Sequence, residues 1–274
     1  MEEIEITMPD QYACYGRYWP GAEGKGAVLY LHGIQSHGEW FEGSCEYLAK
    51  QGLAVLLPDR RGSGKNRNRR GHLASVRQLL EDVSCWRDWL IQRAGDVPLH
   101  LIGVSWGGKL AAVWAGKHPK QVATLTLAAP GIFSRLEPDR TTKLKVGLKL
   151  LGDDSSPLFD LPLGEASLFT DNPRRQEYIC NDALSLRKVS ARFLWVSRRL
   201  DALRKKNSNR LTEPVHLILA GKDRIIDNDR TRRWFDRLCS SKKTLTCFEA
   251  MAHTMEFEPD PGPYYEAMGK FVFS

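Results

Sequence analysis

The chain has 274 residues and a mass of 31.1 kDa, enough to bury a sizeable core in one elaborated domain or two small ones. With 42% hydrophobic and 27% charged residues it falls outside the disordered, collagen-like and low-complexity classes, and no apolar run approaches the roughly 18 residues that span a bilayer. Forty Lys plus Arg against 33 Asp plus Glu leave a net charge of +7, spread along the chain, which is compatible with anionic substrates, acidic lipid surfaces or nucleic acid.

In chain order, residues 12–19 read as an early strand, and Ala27-Val28-Leu29-Tyr30-Leu31 is an apolar run suited to a buried one. Helical spacing over 40–50 stops at Gly52, and a second buried run follows at 53–57. After a Gly- and Arg-rich stretch, Val76, Leu79, Leu80, Val83, Trp86 and Leu90 share a helical face, with Ser75 and Gln78 placed as a capping box and Gly95 as the stop. Residues 99–104 form a third run, a helical stretch leads through Trp114, and 122–129 is a fourth run. This alternation predicts a parallel sheet with right-handed crossovers and helices on both faces. Between Gly131 and about Thr212 there is no convincing buried strand but there are amphipathic pieces, so a helical insertion is expected there. The alternation resumes with strands at 215–220 and 244–248 and helices near 230–238 and 264–271.

Gly103-Val104-Ser105-Trp106-Gly107 places Gly-x-Ser-x-Gly between a buried strand and a helix, where the serine occupies a sharp, strained turn. The same residues begin a phosphate-loop pattern, Gly103 to Lys109, but Leu110 stands where a Mg²⁺-binding hydroxyl is required. A serine hydroxyl needs a base to take its proton and an acid to orient that base. Asp223 and His253 each fall just past the carboxyl end of a predicted strand, the edge where open parallel sheets place their sites, and in the order Ser, Asp, His. Asp227 competes as the acid but is better placed to start the next helix. His100 and His216 lie within strand patterns, and His118 lies at the far end of the helix after Ser105. Backbone N–H groups of Trp106 and of Ile34, in His32-Gly33-Ile34-Gln35, are the expected oxyanion donors, each worth about 3 kcal/mol in the transition state. His32 reads as a structural brace.

These segments resemble an α/β-hydrolase, and within that superfamily they are similar to the monoglyceride lipase and lysophospholipase-like serine hydrolases. Leu31 to Trp40 resembles that group's oxyanion loop, and Asp59-Arg60-Arg61-Gly62-Ser63-Gly64 resembles its structural Asp-x-Arg-Gly-x-Gly turn. Trp106 departs from the smaller residue, commonly Met, found there after the serine. The resemblance implies an α/β-hydrolase core over 1–130 and 213–274, a helical cap over 131–212, and no metal or organic cofactor. It implies a serine carboxylic ester hydrolase acting on monoacylglycerol, lysophospholipid or other small acyl esters. Thioesterase or amidase/peptidase chemistry with the same triad and a catalytically silent binding protein are the alternatives.

Within the insertion, Leu144, Leu148 and Leu151 share a face flanked by Lys143 and Lys145, as expected of a segment that offers apolar surface to an acyl chain or transiently to a lipid interface. Leu148 and Phe193 are its expected substrate-lining residues. The six cysteines are widely separated, with no Cys-x-x-Cys, and read as free thiols in a reducing compartment. The acidic opening residues lack the pattern of an export signal, so a cytoplasmic location without a transmembrane segment is expected. The basic clusters lack the aromatic interleaving of a nucleic-acid binder. Oligomeric state is not written in the sequence.

Overall fold

The computed structural model describes residues 1–152, 154–240 and 242–273. The chain opens with β1 (Glu2–Thr7) and β2 (Ala13–Trp19), which pair antiparallel. There follow β3 (Ala27–Leu31), α1 (Glu42–Lys50), β4 (Ala54–Pro58), α2 (Val76–Ala94), β5 (Leu99–Val104), α3 (Trp106–Lys117) and β6 (Thr124–Ala128). β3 to β6 are buried along their whole length, which is why they read as unbroken apolar runs rather than alternating ones. β1 escapes sequence reading because three of its six residues are Glu and only Ile6 is fully buried.

Ser75 caps α2 by accepting from the Gln78 N–H at 3.1 Å, but the Gln78 side chain reaches Asp10 at 3.0 Å instead of closing the capping box. Gly95 ends the helix at a positive φ of 84°.

Between β6 and the next sheet strand lie α4 (Arg140–Lys149), α5 (Pro173–Asn181) and α6 (Ala191–Asn207). The antiparallel two-residue strands β7 (Phe159–Asp160) and β8 (Lys188–Val189) join them, too short to leave a periodic signal. β9 (Val215–Ala220), α7 (Asn228–Asp236), β10 (Lys243–Phe248) and α8 (Gly262–Val272) complete the chain.

The main sheet runs in the order β1-β2-β4-β3-β5-β6-β9-β10, parallel from β4 onward. α1 and α8 pack together over one face, and α2 and α3 over the other, with α6 lying on α3. Because the chain leaves β3 toward β4 and returns to β5 on the opposite side, the loops after β3 and β5 diverge and open a crevice at the carboxyl edge. Among the described residues no helix is long and apolar enough to cross a membrane. All six cysteines are free; Cys14 and Cys45 are buried, whereas Cys180 and Cys239 are exposed.

Candidate active site

Ser105 follows β5 directly and has φ 52° and ψ −124°, a conformation that non-glycine residues rarely occupy. Close packing over-determines the turn. A Cβ at Gly103 would stand 2.6 Å from the Gly107 carbonyl oxygen, and one at Gly107 would stand 2.2 Å from that of Leu31. The Ser105 N–H donates to Ala128 O at 2.9 Å, and its carbonyl accepts from the N–H groups of Gly108 and Gly131 at 2.9 and 2.6 Å. The strained serine is therefore clamped between β3, β6 and the first turn of α3.

His253 stands in the loop after β10, and Asp223 just beyond β9. His253 Nδ1 lies 2.8 Å from Asp223 Oδ2, and its Nε2 lies 3.0 Å from Ser105 Oγ. With the ring proton on Nδ1 donating to the carboxylate, Nε2 is left to accept from the serine hydroxyl. Asp223 Oδ1 accepts from the N–H groups of Ile225 and Ile226, both at 2.8 Å, so both carboxylate oxygens are engaged. Asp227 does not reach the imidazole; it caps α7 by accepting from the Arg230 N–H at 2.9 Å. The remaining strand histidines are occupied elsewhere, His100 on Thr124 and His216 on Thr246.

Ile34 and Trp106 flank Ser105 on the loops after β3 and β5, and among the described residues neither N–H donates to a protein acceptor. Trp106 opens α3, where the first N–H groups of a helix have no partner within it. His32 sits behind this loop, fully buried. Burial, reinforced by nearby Arg60, holds it well below the usual imidazole pKa. Kept neutral, its Nε2 accepts from the Arg60 N–H at 2.8 Å while Nδ1 lies 2.9 Å from Gly33 O, a bracing role. Asp59 ties the far end of the loop, accepting from the Gly38 and Lys65 N–H groups at 2.7 and 2.8 Å.

The cleft above Ser105 is lined by Gly33, Ile34, Gln35, Ser36, Trp40, Phe41, Val104, Leu163, Phe169, His253 and Thr254. Gly33 matters because a Cβ there would stand 3.6 Å from Ser105 Oγ, in the space beside the nucleophile candidate. Leu163 and Phe169 come from the insertion, and the Phe169 carbonyl accepts from the Thr254 N–H at 2.7 Å, next to His253. Sequence reasoning missed both, since they lie in an irregular segment with no periodicity. Asp182, just past α5, was missed too: it accepts from Trp40 Nε1 and Ser185 Oγ at 2.9 and 2.8 Å and lies 2.9 Å from His37 Nε2. Burial alone would raise its pKa, but these bonds hold the carboxyl well below the usual range.

The two expected substrate-lining residues do not reach the cleft. Leu148 projects from α4 at 62% exposure, because that helix buries none of its residues. Phe193 is fully buried and lies against the Trp106 ring, behind the site. Among the described residues no group of His, Cys, Asp and Glu has the geometry to hold a metal ion.

A sequence model of the family described as Serine aminopeptidase, S33 matches residues 22–260. Among curated proteins the chain is 23% identical over 258 residues to phospholipase YtpA of Bacillus subtilis, covering 93% of this chain and 97% of that protein. It is 25% identical over 262 residues to human monoglyceride lipase, covering 92% and 83%. Among solved structures, the monoacylglycerol lipase of Paleococcus ferrophilus superposes with a TM-score of 0.82 at 23% identity, covering 94% and 98%. The layered architecture is that of an α/β-hydrolase.

Proposed function

The chain belongs to the serine aminopeptidase family of α/β-hydrolases, and from that premise we propose that it is a carboxylic ester hydrolase acting through an acyl-enzyme on Ser105, with Asp223 and His253 completing the triad. The observation that carries this reading is the continuous relay from Asp223 through His253 to Ser105 at 2.8 and 3.0 Å. In the first half-reaction Ser105 Oγ attacks the ester carbonyl carbon as His253 Nε2 takes its proton. The tetrahedral oxyanion forms between the N–H groups of Ile34 and Trp106. Its collapse breaks the bond to the alcohol, which leaves with the proton from His253, and water repeats the sequence to release the acid.

Monoacylglycerols, lysophospholipids or other small acyl esters are the proposed substrates. The cleft walls support an apolar acyl group, with Trp40, Phe41, Leu163 and Phe169 around the nucleophile. Among the described residues that line the cleft there is no carboxylate, so an aminopeptidase reading finds no counter-charge there for a substrate's α-ammonium group. Both relatives reported above are named for lipid hydrolysis. Residues 131–212 act in this reading as a cap that supplies part of the acyl wall. Leu144, Leu148 and Leu151, 66%, 62% and 87% exposed beside Lys143 and Lys145, offer a transient contact with a lipid interface.

The test is turnover of p-nitrophenyl esters of graded length, a monoacylglycerol and an acyl-CoA, together with fluorophosphonate labelling. The parent protein is expected to be labelled and to hydrolyse oxygen esters, and Ser105→Ala is expected to lose both while keeping its fold. Near-normal turnover in Ser105→Ala would end the proposal. A parent protein that is neither labelled nor active points to a silent binding protein.

A further inference from the structure

Arg60 lies outside the triad but touches both sides of the oxyanion hole. Its side chain is buried, with 3% of the residue exposed, and Nη2 donates to the carbonyl oxygen of Ile34 at 2.8 Å. Its guanidinium carbon is 4.9 Å from the ring centroid of Trp106 and 5.2 Å from that of Phe193. Those two rings are 5.7 Å apart and 30° from parallel, so the three groups form a tight triangle. Phe193 belongs to α6, and Trp106 Nε1 donates to Ser197 Oγ of the same helix at 2.9 Å. One cation thus joins the loop after β3, the turn after β5 and the insertion.

Stability does not account for an arginine at this position. The neighbouring Asp59 attracts the Arg60 charge but makes no hydrogen bond to it, its carboxylate accepting from the Gly38 and Lys65 N–H groups and from Arg17. Nε and Nη1 of Arg60 are buried without a hydrogen-bond acceptor among the described residues. Burial lowers its pKa to about 9, which leaves it cationic near neutral pH. An incompletely paired buried charge is unfavourable, and aromatic faces offset only part of that cost. An aliphatic side chain would fill the same space without it. What an aliphatic group cannot do is grip the Ile34 carbonyl while lying against the Trp106 ring, which requires the fork and the flat face of a guanidinium.

We propose that Arg60 is a positioning residue for the oxyanion hole, fixing the Ile34 peptide and the Trp106 side chain relative to each other and to α6. The inference rests on the reading of Ser105 as nucleophile and of Ile34 and Trp106 as oxyanion donors. Holding the Ile34 carbonyl restricts rotation of that residue and so the direction of its N–H, and oxyanion stabilisation depends on donors set in place before the charge develops.

The experiment compares the parent protein with Arg60→Met and Arg60→Lys. It measures kcat and KM for a p-nitrophenyl ester per fluorophosphonate-titrated site, Ki for a trifluoromethyl ketone that forms an oxyanion adduct, and Tm. Arg60→Met is expected to lower kcat by about 30- to 100-fold, with KM within about threefold, and to weaken the ketone by a similar factor. Its Tm should be unchanged or higher, the opposite of what a purely structural arginine predicts. Arg60→Lys keeps the charge but not the planar fork and should lose about tenfold in kcat. A kcat for Arg60→Met within about threefold of the parent overturns the proposal. If Arg60→Met does not fold, Arg60→Lys and Phe193→Leu decide, and parent-like kcat in both overturns it. A parent protein that hydrolyses no ester and is not labelled defeats the functional reading itself, whereas an active parent with an equally active Arg60→Met defeats only the role of Arg60.

Discussion

Two carboxylates four residues apart do different work in this fold. Asp223, just beyond β9, meets the imidazole, while Asp227 caps α7. That division is legible in the sequence, because one lies at a strand end and the other immediately before a polar helix. Arg60 is not legible in the same way: its motif reads as a turn, and its burial depends on a phenylalanine far along the chain. Glu256 is a third buried case, invisible until the fold closes around it. It accepts from the Ser44 N–H at 2.9 Å, from Ser44 Oγ and from Tyr265 Oη at 2.8 Å, in the turn that follows His253. Burial raises its pKa to about 7 despite those donors. The folded-state pKa lies above the unfolded value, so the stability contributed by the protonated form is complete below about pH 4.5 and lost as pH rises through about 7. Glu256→Gln stays neutral and keeps acceptor capacity. Its stability relative to the parent should therefore climb between pH 5 and 8, to a plateau of at most about 3 kcal/mol. Urea unfolding at several pH values checks this, and a difference independent of pH would contradict it.

At the scale of elements, the central strands are legible because burial on both faces leaves unbroken apolar runs, and the helices packed on the sheet because burial of one face imposes a helical period. The insertion is legible only as a helical interruption. α4 shows a leucine stripe, which sequence reasoning offers to an acyl chain or a lipid interface; in the fold that stripe faces outward, while Leu163 and Phe169 from an irregular stretch line the cleft at Ser105. Periodicity reports that one face of a helix is apolar, not whether protein, substrate or lipid covers it. The distinction has a direct consequence for substrate choice. Leu163→Ser or Phe169→Ser should lower kcat/KM for long relative to short p-nitrophenyl esters, by up to about 0.8 kcal/mol for each methylene that loses its contact. Leu148→Ser should leave that ratio unchanged, and its Tm close to that of the parent, because the side chain is already 62% exposed. A chain-length shift in Leu148→Ser alone would move the acyl wall to α4.

In the whole molecule the hydrophobic core runs on across the point where the sequence pattern breaks. Leu161, Leu163, Phe169, Leu186, Val189, Phe193, Val196 and Leu200 of the insertion belong to the same continuous hydrophobic core as the strands. Polar ties reinforce that continuity. Lys109 on α3 pairs with Asp201 on α6 at 2.8 Å, Asp182 holds Trp40, and the Leu186 N–H donates to Gln35 O at 2.8 Å. Burial lowers the Lys109 pKa against the pull of Asp201, so with the helices packed, loss of Asp201 alone would leave an unpaired charge between α3 and α6. The segments 1–130 and 213–274 and the segment 131–212 are therefore expected to unfold together. Calorimetry should give one transition with a van't Hoff enthalpy close to the calorimetric one, which at this chain length is not guaranteed by size alone. Lys109→Met with Asp201→Leu removes the buried pair but keeps the apolar contact between the helices, and it should retain a single transition with Tm unchanged or raised. Two resolved transitions in the parent protein, the earlier one accompanied by proteolysis confined to 131–212, would show instead that the cap is a separate folding unit.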